Sequence, residues 1–213
     1  MTGELTPGQR LLLDRLSASE LAEVFYFTGG SALAAYYLHH RRSMDLDFFA
    51  RRHFDPKRVV RVLSDIADGD LIPRRVQDRY EFTIEVQGER LRVEFVHYDY
   101  DTIAKSDARF GRIRVDSLRD ILANKLSAII ERTEGKDFAD LYFLLRRPEL
   151  SLEQGILDCQ AKFGWPGLRI LLQRAFLKAE GLEAWPRTQP PTTPEGARAF
   201  FREQARALID LDE

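Results

Sequence analysis

Between Glu23 and Phe49 the chain compresses a strand, a double-glycine turn, a helix and a second strand into 27 residues. "EVFYFT" (23–28) is aromatic and β-branched, which predicts a short strand. Gly29 and Gly30 interrupt it, and Ser31 is placed to cap a helix over "ALAAYYLHHR". "MDLDFF" (44–49) follows as the next strand. This compression is the strongest constraint on the fold. Glycines at a strand-to-helix junction let the backbone approach a ligand, and the helix start offers unpaired N–H groups to an anion. The Ser31 hydroxyl is a further donor to a phosphate oxygen. A tight turn with a serine cap explains the same residues without a ligand.

The second strand carries the sharper signal. Strand side chains alternate, so Asp45 and Asp47 share one face while Leu46 and Phe48 pack on the other. Two carboxylates so close repel, raising one pKa unless a cation neutralises them. A hard, oxygen-seeking divalent ion such as Mg²⁺ suits that need. The competing reading is an exposed strand face that happens to be acidic, in a run otherwise as apolar as Met44, Leu46, Phe48 and Phe49.

Around this unit, residues 8–22 read as an amphipathic helix and 55–69 as a helix started by Asp55-Pro56 and stopped by Gly69. Residues 79–98 alternate polar and apolar about Gln87-Gly88, a β-hairpin, and "RIRV" (112–115) adds a strand. From Ser117 the period becomes helical, in three or four segments to about Lys178. A Pro/Thr-rich connector (185–196) precedes an amphipathic helix over 197–211, expected to pack on the core. The expected organisation is a core over 1–116 with a helical region over 117–213 packed on it.

Composition narrows the class. The chain has 213 residues, enough for one core or a core with a helical annex. Its 32 basic and 34 acidic residues leave a formal charge of −2, so no global polyanion footprint exists. The arginine doublets at 41–42, 51–52 and 74–75 read as solvated surface. A lone Cys159 excludes an intrachain disulfide, and the polar start and short apolar runs point away from a signal peptide or membrane span, hence to the cytoplasm.

Three more stretches bear on chemistry. In "LRVEFV", Glu94 shares a face with Arg92, so it either completes an acidic metal site or pairs with an arginine. On the helix "SLRDILANKLSAIIER", counting about 100° per residue from Leu118 puts Lys125 near −20° and Arg132 near −40°, within the apolar stripe of Ile121, Leu122, Leu126 and Ile129. Inward cations either snorkel or meet an anion, a triphosphate or a structural carboxylate. Asp137 opens the following helix, where it suits the helix dipole, yet it faces inward between Leu141 and Leu144 and is within reach of Lys125 or a substrate hydroxyl. The four histidines show no metal-ligand spacing and read as incidental.

"GGSALAAYYLHHRRSMDLDFF", "SLRDILANKLSAIIERTEGKDFADLYFLL" and, more loosely, "LRVEFV" together resemble the AbiEii/AbiGii-type nucleotidyltransferase toxins, over roughly residues 23–146. The resemblance implies an α+β fold, with a mixed β-sheet of the DNA polymerase β type flanked by helices and a helical C-terminal part. It makes Gly29, Gly30 and Ser31 the nucleotide-phosphate turn, Asp45 and Asp47 the metal pair, Lys125 a phosphate or catalytic lysine, and Asp137 a catalytic or orienting acid. Glu94 is the candidate third acid, where the wider superfamily often has aspartate, and Arg132 joins Lys125 as a candidate to bind the nucleotide. It implies Mg²⁺ or Mn²⁺, an NTP substrate, an RNA acceptor such as a tRNA 3′ end, and a separately encoded antitoxin in a toxin–antitoxin or phage-defence pair. A degenerate nucleotide-binding or interaction module, and a metal-dependent phosphodiesterase, are the rival expectations.

Overall fold

The computed structural model describes residues 4–209. Helix α1 (Pro7–Ala18) starts at a reciprocal cap: Thr6 Oγ1 accepts from the Gln9 backbone N–H at 3.2 Å, and Gln9 Oε1 accepts from the Thr6 N–H at 3.0 Å. The same Gln9 amide donates to the Ser43 and Met44 carbonyls at 2.9 and 3.3 Å. The first helix is thereby fixed to the entry of the aspartate strand.

After a 3₁₀ turn at Glu20–Glu23 come β1 (Tyr26–Thr28), α2 (Gly29–Leu33), a π-helical turn at Ala34–Leu38, and β2 (Asp45–Ala50). The expected strand–turn–helix–strand order is present, but Ser31 is not the cap. Gly29 adopts φ +72°, a left-handed conformation open to glycine, and the helix begins there, three residues before the expected Ala32. Ser31 lies inside the helix, and its hydroxyl donates to the Asp45 carbonyl. The helix ends at Leu38, short of the expected Arg41, where His39 takes φ +50°.

Helix α3 (Pro56–Ser64) is capped by Asp55, which accepts from the Lys57 N–H at 2.9 Å; it is shorter than the expected 55–69. Strand β3 (Ile72–Val76) was not anticipated: it contains Pro73, and all five residues are exposed. It is an edge strand, where proline is tolerated. Strands β4 (Arg79–Val86) and β5 (Glu89–His97) form the expected hairpin, with Gln87 and Gly88 at φ +52° and +71°, as a two-residue primed turn requires. Short strands β6 (Arg109–Phe110) and β7 (Ile113–Val115) follow. Among the described residues, seven strands form one sheet in the order β3-β4-β5-β2-β1-β7-β6. The β2–β5 and β1–β7 pairs are parallel and the rest antiparallel, so the sheet is mixed.

One sheet face is apolar. Leu46 and Phe48 of β2 pack with Phe82, Val93 and Phe95 under Leu12, Leu13 and Leu16 of α1. Alternation sends Asp45 and Asp47 to the opposite face, where the parallel register sets them beside Arg92 and Glu94.

The second half is helical: α4 (Leu118–Glu131), α5 (Gly135–Leu144), α6 (Leu152–Phe163), α7 (Leu168–Leu177) and α8 (Pro194–Ala207). They surround a second apolar cluster that includes Leu126, Ile129, Phe138, Leu141 and Phe176. Phe201 of α8 is fully buried in it, so the last helix packs back on its neighbours. Residues 210–211 of the expected helix lie outside the described residues. The connector is anchored: the Gln189 N–H donates to the His40 carbonyl at 2.7 Å. Among the described residues, no helix is long and apolar enough to cross a membrane.

Candidate active site

A cavity of about 330 Å³ lies between the polar sheet face and α4–α5. It is lined by Gly29 and Gly30, by Asp45 and Asp47, by Glu94, and by Lys125 and Arg132. Seven residues singled out in the sequence thus converge on one space. Ser31 and Asp137 are not among its lining residues.

The glycines do different work. An atom at the Cβ position of Gly29 would lie 2.0 Å from Asp47 Oδ2, so the turn leaves the space that this carboxylate fills. At Gly30 the equivalent position lies 2.4 Å from Arg41 Nη2. The second glycine therefore makes room for a guanidinium.

Burial raises the Asp47 carboxyl to about 6, with Glu94 adding to the shift and Lys125 opposing it. No cation lies within ion-pair distance of Asp47 among the described residues. Asp45 is 3.3 Å from Lys136 Nζ, a cavity-lining lysine that the sequence reading passed over. Glu94 accepts from Arg79 Nη1 at 2.6 Å and from Arg92 Nη2 at 2.8 Å. It borders Asp47 as expected, but its charge is answered by arginines. Among the described residues no group of three His, Cys, Asp or Glu side chains is arranged to hold a metal. The pair Asp45 and Asp47 still fits a divalent ion that keeps water or substrate phosphate as its other ligands, because one carboxylate lacks a counter-ion and the donors are hard oxygens.

Lys125 is buried, and its Nζ sits 2.6 Å from both Asp137 Oδ1 and Asp140 Oδ2. Burial works against its charge, but Asp140 and Asp137 outweigh it and raise its pKa. Asp137 also accepts from Arg132 Nε at 2.7 Å; burial opposes its ionisation, and Lys125 and Arg132 overcome this to hold its pKa low. Asp137 reaches the cavity only through these two cations.

Asp140 is the hub that the sequence reading missed. It is fully buried and accepts from Arg41 Nε and Nη2 at 2.6 and 2.8 Å, with His40 Nε2 at 2.7 Å. Arg41 is not solvated surface and His40 is not incidental; both are buried against Asp140. Burial lowers the His40 pKa despite Asp140 beside it, so the imidazole is neutral and donates through Nε2. Arg132 also lies 3.6 Å from Glu134, so three cations (Lys125, Arg41, Arg132) face three carboxylates (Asp137, Asp140, Glu134) beside the cavity.

The mixed sheet with its flanking helices is the fold of solved structures assigned to the nucleotidyltransferase class. A Helicobacter pylori structure provisionally assigned as a nucleotidyltransferase superposes with a TM-score of 0.61 at 21% identity, covering 93% of this chain and 90% of that one. JHP933 from Helicobacter pylori superposes at 0.56 and 21% identity, covering 96% and 94%. The antibiotic-resistance factor ANT(2'')-Ia superposes at 0.51 and 13% identity, covering 72% and 90%.

The family is narrower than the class. The chain belongs to the nucleotidyl transferase AbiEii toxins of type IV toxin–antitoxin systems, whose family model matches residues 10–212. An uncharacterized protein of Aquifex aeolicus (strain VF5), aq_aa25, is 28% identical over 156 residues, covering 71% of this chain and 72% of that protein. The protein is therefore a transferase, and its family implies a nucleotide substrate and an antitoxin partner.

Proposed function

We propose that the protein moves NMP from an NTP to an RNA hydroxyl, such as a tRNA 3′ end, with Mg²⁺ or Mn²⁺ as cofactor, acting as the toxin of a toxin–antitoxin or phage-defence pair in the cytoplasm. The observation that carries this reading is the acidic pair facing one cavity with the glycine turn and the cation cluster. Asp45 and Asp47 would hold the metal, which when bound supplies positive charge to the phosphates and to the attacking oxygen. The acceptor oxygen attacks the α-phosphorus, the bond to pyrophosphate breaks, and the hydroxyl proton passes to solvent water.

Charge then builds on the leaving pyrophosphate. Lys125, Arg132 and Lys136 line the cavity and are the cations suited to stabilise it. Asp137 and Asp140 keep Lys125 protonated and fix its position. Gly29 and Gly30 give phosphate oxygens a close approach to backbone N–H groups. Ser31 and Glu94 have supporting parts: Ser31 ties the turn to the Asp45 carbonyl, and Glu94 sets Arg79 and Arg92 at the cavity rim.

Purified protein incubated with radiolabelled NTPs, Mg²⁺ and bacterial RNA should label a discrete RNA band. Asp45→Ala and Asp47→Ala should each lower that signal by 10²-fold or more, on the scale of removing one charge-stabilising group. Equal labelling by wild type and both variants would end the assignment.

A further inference from the structure

Five aromatic rings line the same cavity in an unbroken series. Ring centroids are 4.6 Å apart for Phe49 and Tyr98, 4.8 Å for Tyr98 and Tyr100, 5.0 Å for Tyr100 and Phe163, and 5.3 Å for Phe163 and Trp165. They come from distant parts of the chain: β2, the segment leaving β5, and the end of α6 with the residues after it. None is fully buried, and Tyr100 is 38% exposed. None bears a charge at neutral pH, so the series has no share in the phosphate and metal chemistry of its neighbours.

The series is braced from behind. The Tyr98 hydroxyl donates to Asn124 Oδ1 at 3.0 Å, and Lys162 Nζ stands 5.6 Å from the centre of the Tyr98 ring. Lys162 is itself held by the buried Asp120 at 2.9 Å. Asn124 also lines the cavity, and its Nδ2 is buried without a hydrogen-bond partner. A bound group with an acceptor edge would satisfy it.

We propose that these rings form the stacking platform for unpaired bases at the 3′ end of the RNA acceptor; this rests on the nucleotidyl-transfer reading above. Stacking needs only a π-face and tolerates any base. The rings are tilted against one another, by 40°, 57°, 74° and 30° in turn, so they present faces in several directions, more than the one base of a mononucleotide covers. Phe49 lies two residues beyond Asp47 on the same strand face, so the series begins beside the acidic pair. A strand laid along it delivers its terminal hydroxyl to Asp45 and Asp47.

The test separates the platform from the chemistry. The chain has two tryptophans, and Trp185→Phe leaves Trp165 as the only one. A single-stranded oligoribonucleotide with a free 3′ hydroxyl should quench its fluorescence, and a blunt duplex of the same sequence should quench it far less. Titrated by the anisotropy of a 5′-fluorescein label on that oligonucleotide, Tyr100→Ala and Trp165→Ala should each weaken binding between about fivefold and 150-fold, the range for losing one stacked base, and raise the acceptor KM in parallel. The KM for NTP should stay within twofold, which also shows that both variants are folded. Unchanged oligonucleotide affinity in both variants overturns the proposal, as does equal quenching by the duplex. A rise in the NTP KM alone overturns it too, because the rings would then hold the incoming base. Quenching by single strands from a wild type that transfers no nucleotide would support the platform and sink the transfer reading instead.

Discussion

Burial and Glu94 raise the Asp47 carboxyl to about 6 in the folded protein, from an ordinary 3.8. Between those values the folded state holds a proton that the unfolded state has lost, so stability falls as pH rises through this window. Above about 6 the full penalty applies. At 1.36 kcal/mol per pH unit its upper bound is about 3 kcal/mol, and partial exposure of the site reduces it to about 1–2 kcal/mol. Asp47→Asn removes the charge at nearly constant shape. In metal-free urea unfolding at pH 8 the variant should be more stable than wild type by about 1–2 kcal/mol, and at pH 3.5 the two should agree. A less stable variant at pH 8 would refute the account of Asp47 as a carboxylate lacking its counter-ion. The aspartate pair was legible because strand alternation has a period of two, and Lys125 because a wheel position needs no partner to be read. Asp140 was not legible: its hydrogen-bond partners His40 and Arg41 are 100 and 99 residues away in the chain, and no local pattern links them.

That same cluster sets the geometry between elements. Arg41 lies just before β2, Lys125 on α4 and Asp140 on α5, so one carboxylate ties three segments together. Burial disfavours the Asp140 charge, yet Lys125 and Arg41 outweigh it and hold its pKa well below the usual carboxylate range. Its contribution to stability is therefore present above the unfolded value near 3.8 and is lost as pH falls below it. Asp140→Asn leaves Lys125 and Arg41 short of a buried counter-charge, and should cost about 3–5 kcal/mol in denaturant unfolding at pH 7. The gap to wild type should narrow when the comparison is repeated at pH 3; a gap that stays constant would exclude the charge as its cause. Elements carrying their own signal, such as the hairpin about Gln87-Gly88, were readable. Strand β3 was not, because Pro73 and two arginines argue against a strand unless an edge position is already known. The start of α2 was misplaced for a related reason: a Cβ at Gly29 would meet Asp47 on the neighbouring strand, a long-range contact that no local pattern displays.

Across the whole molecule, the cavity lies between the sheet and the helical half. The sheet supplies the acidic pair and Glu94, while α4, its C-cap position and α5 supply Lys125, Arg132 and Lys136. Tyr37 packs against both apolar clusters, and Leu33 of α2 belongs to the helical one. A nucleotide bound through metal on one side and cations on the other would contact both halves, and its binding energy would add to the stability of the whole. At a concentration one hundred times Kd, such linkage contributes about 2.7 kcal/mol. For a chain of this size that corresponds to a Tm increase of about 5–10 °C. Differential scanning fluorimetry with NTP and Mg²⁺ together should show that increase as one transition, and either component alone should give much less. In the Asp45→Asn/Asp47→Asn double variant the increase should disappear, although its cation cluster is intact. If the double variant gains as much as wild type, the triphosphate is held by the cations without the acidic pair, and the cavity binds nucleotide without the arrangement that transfer requires.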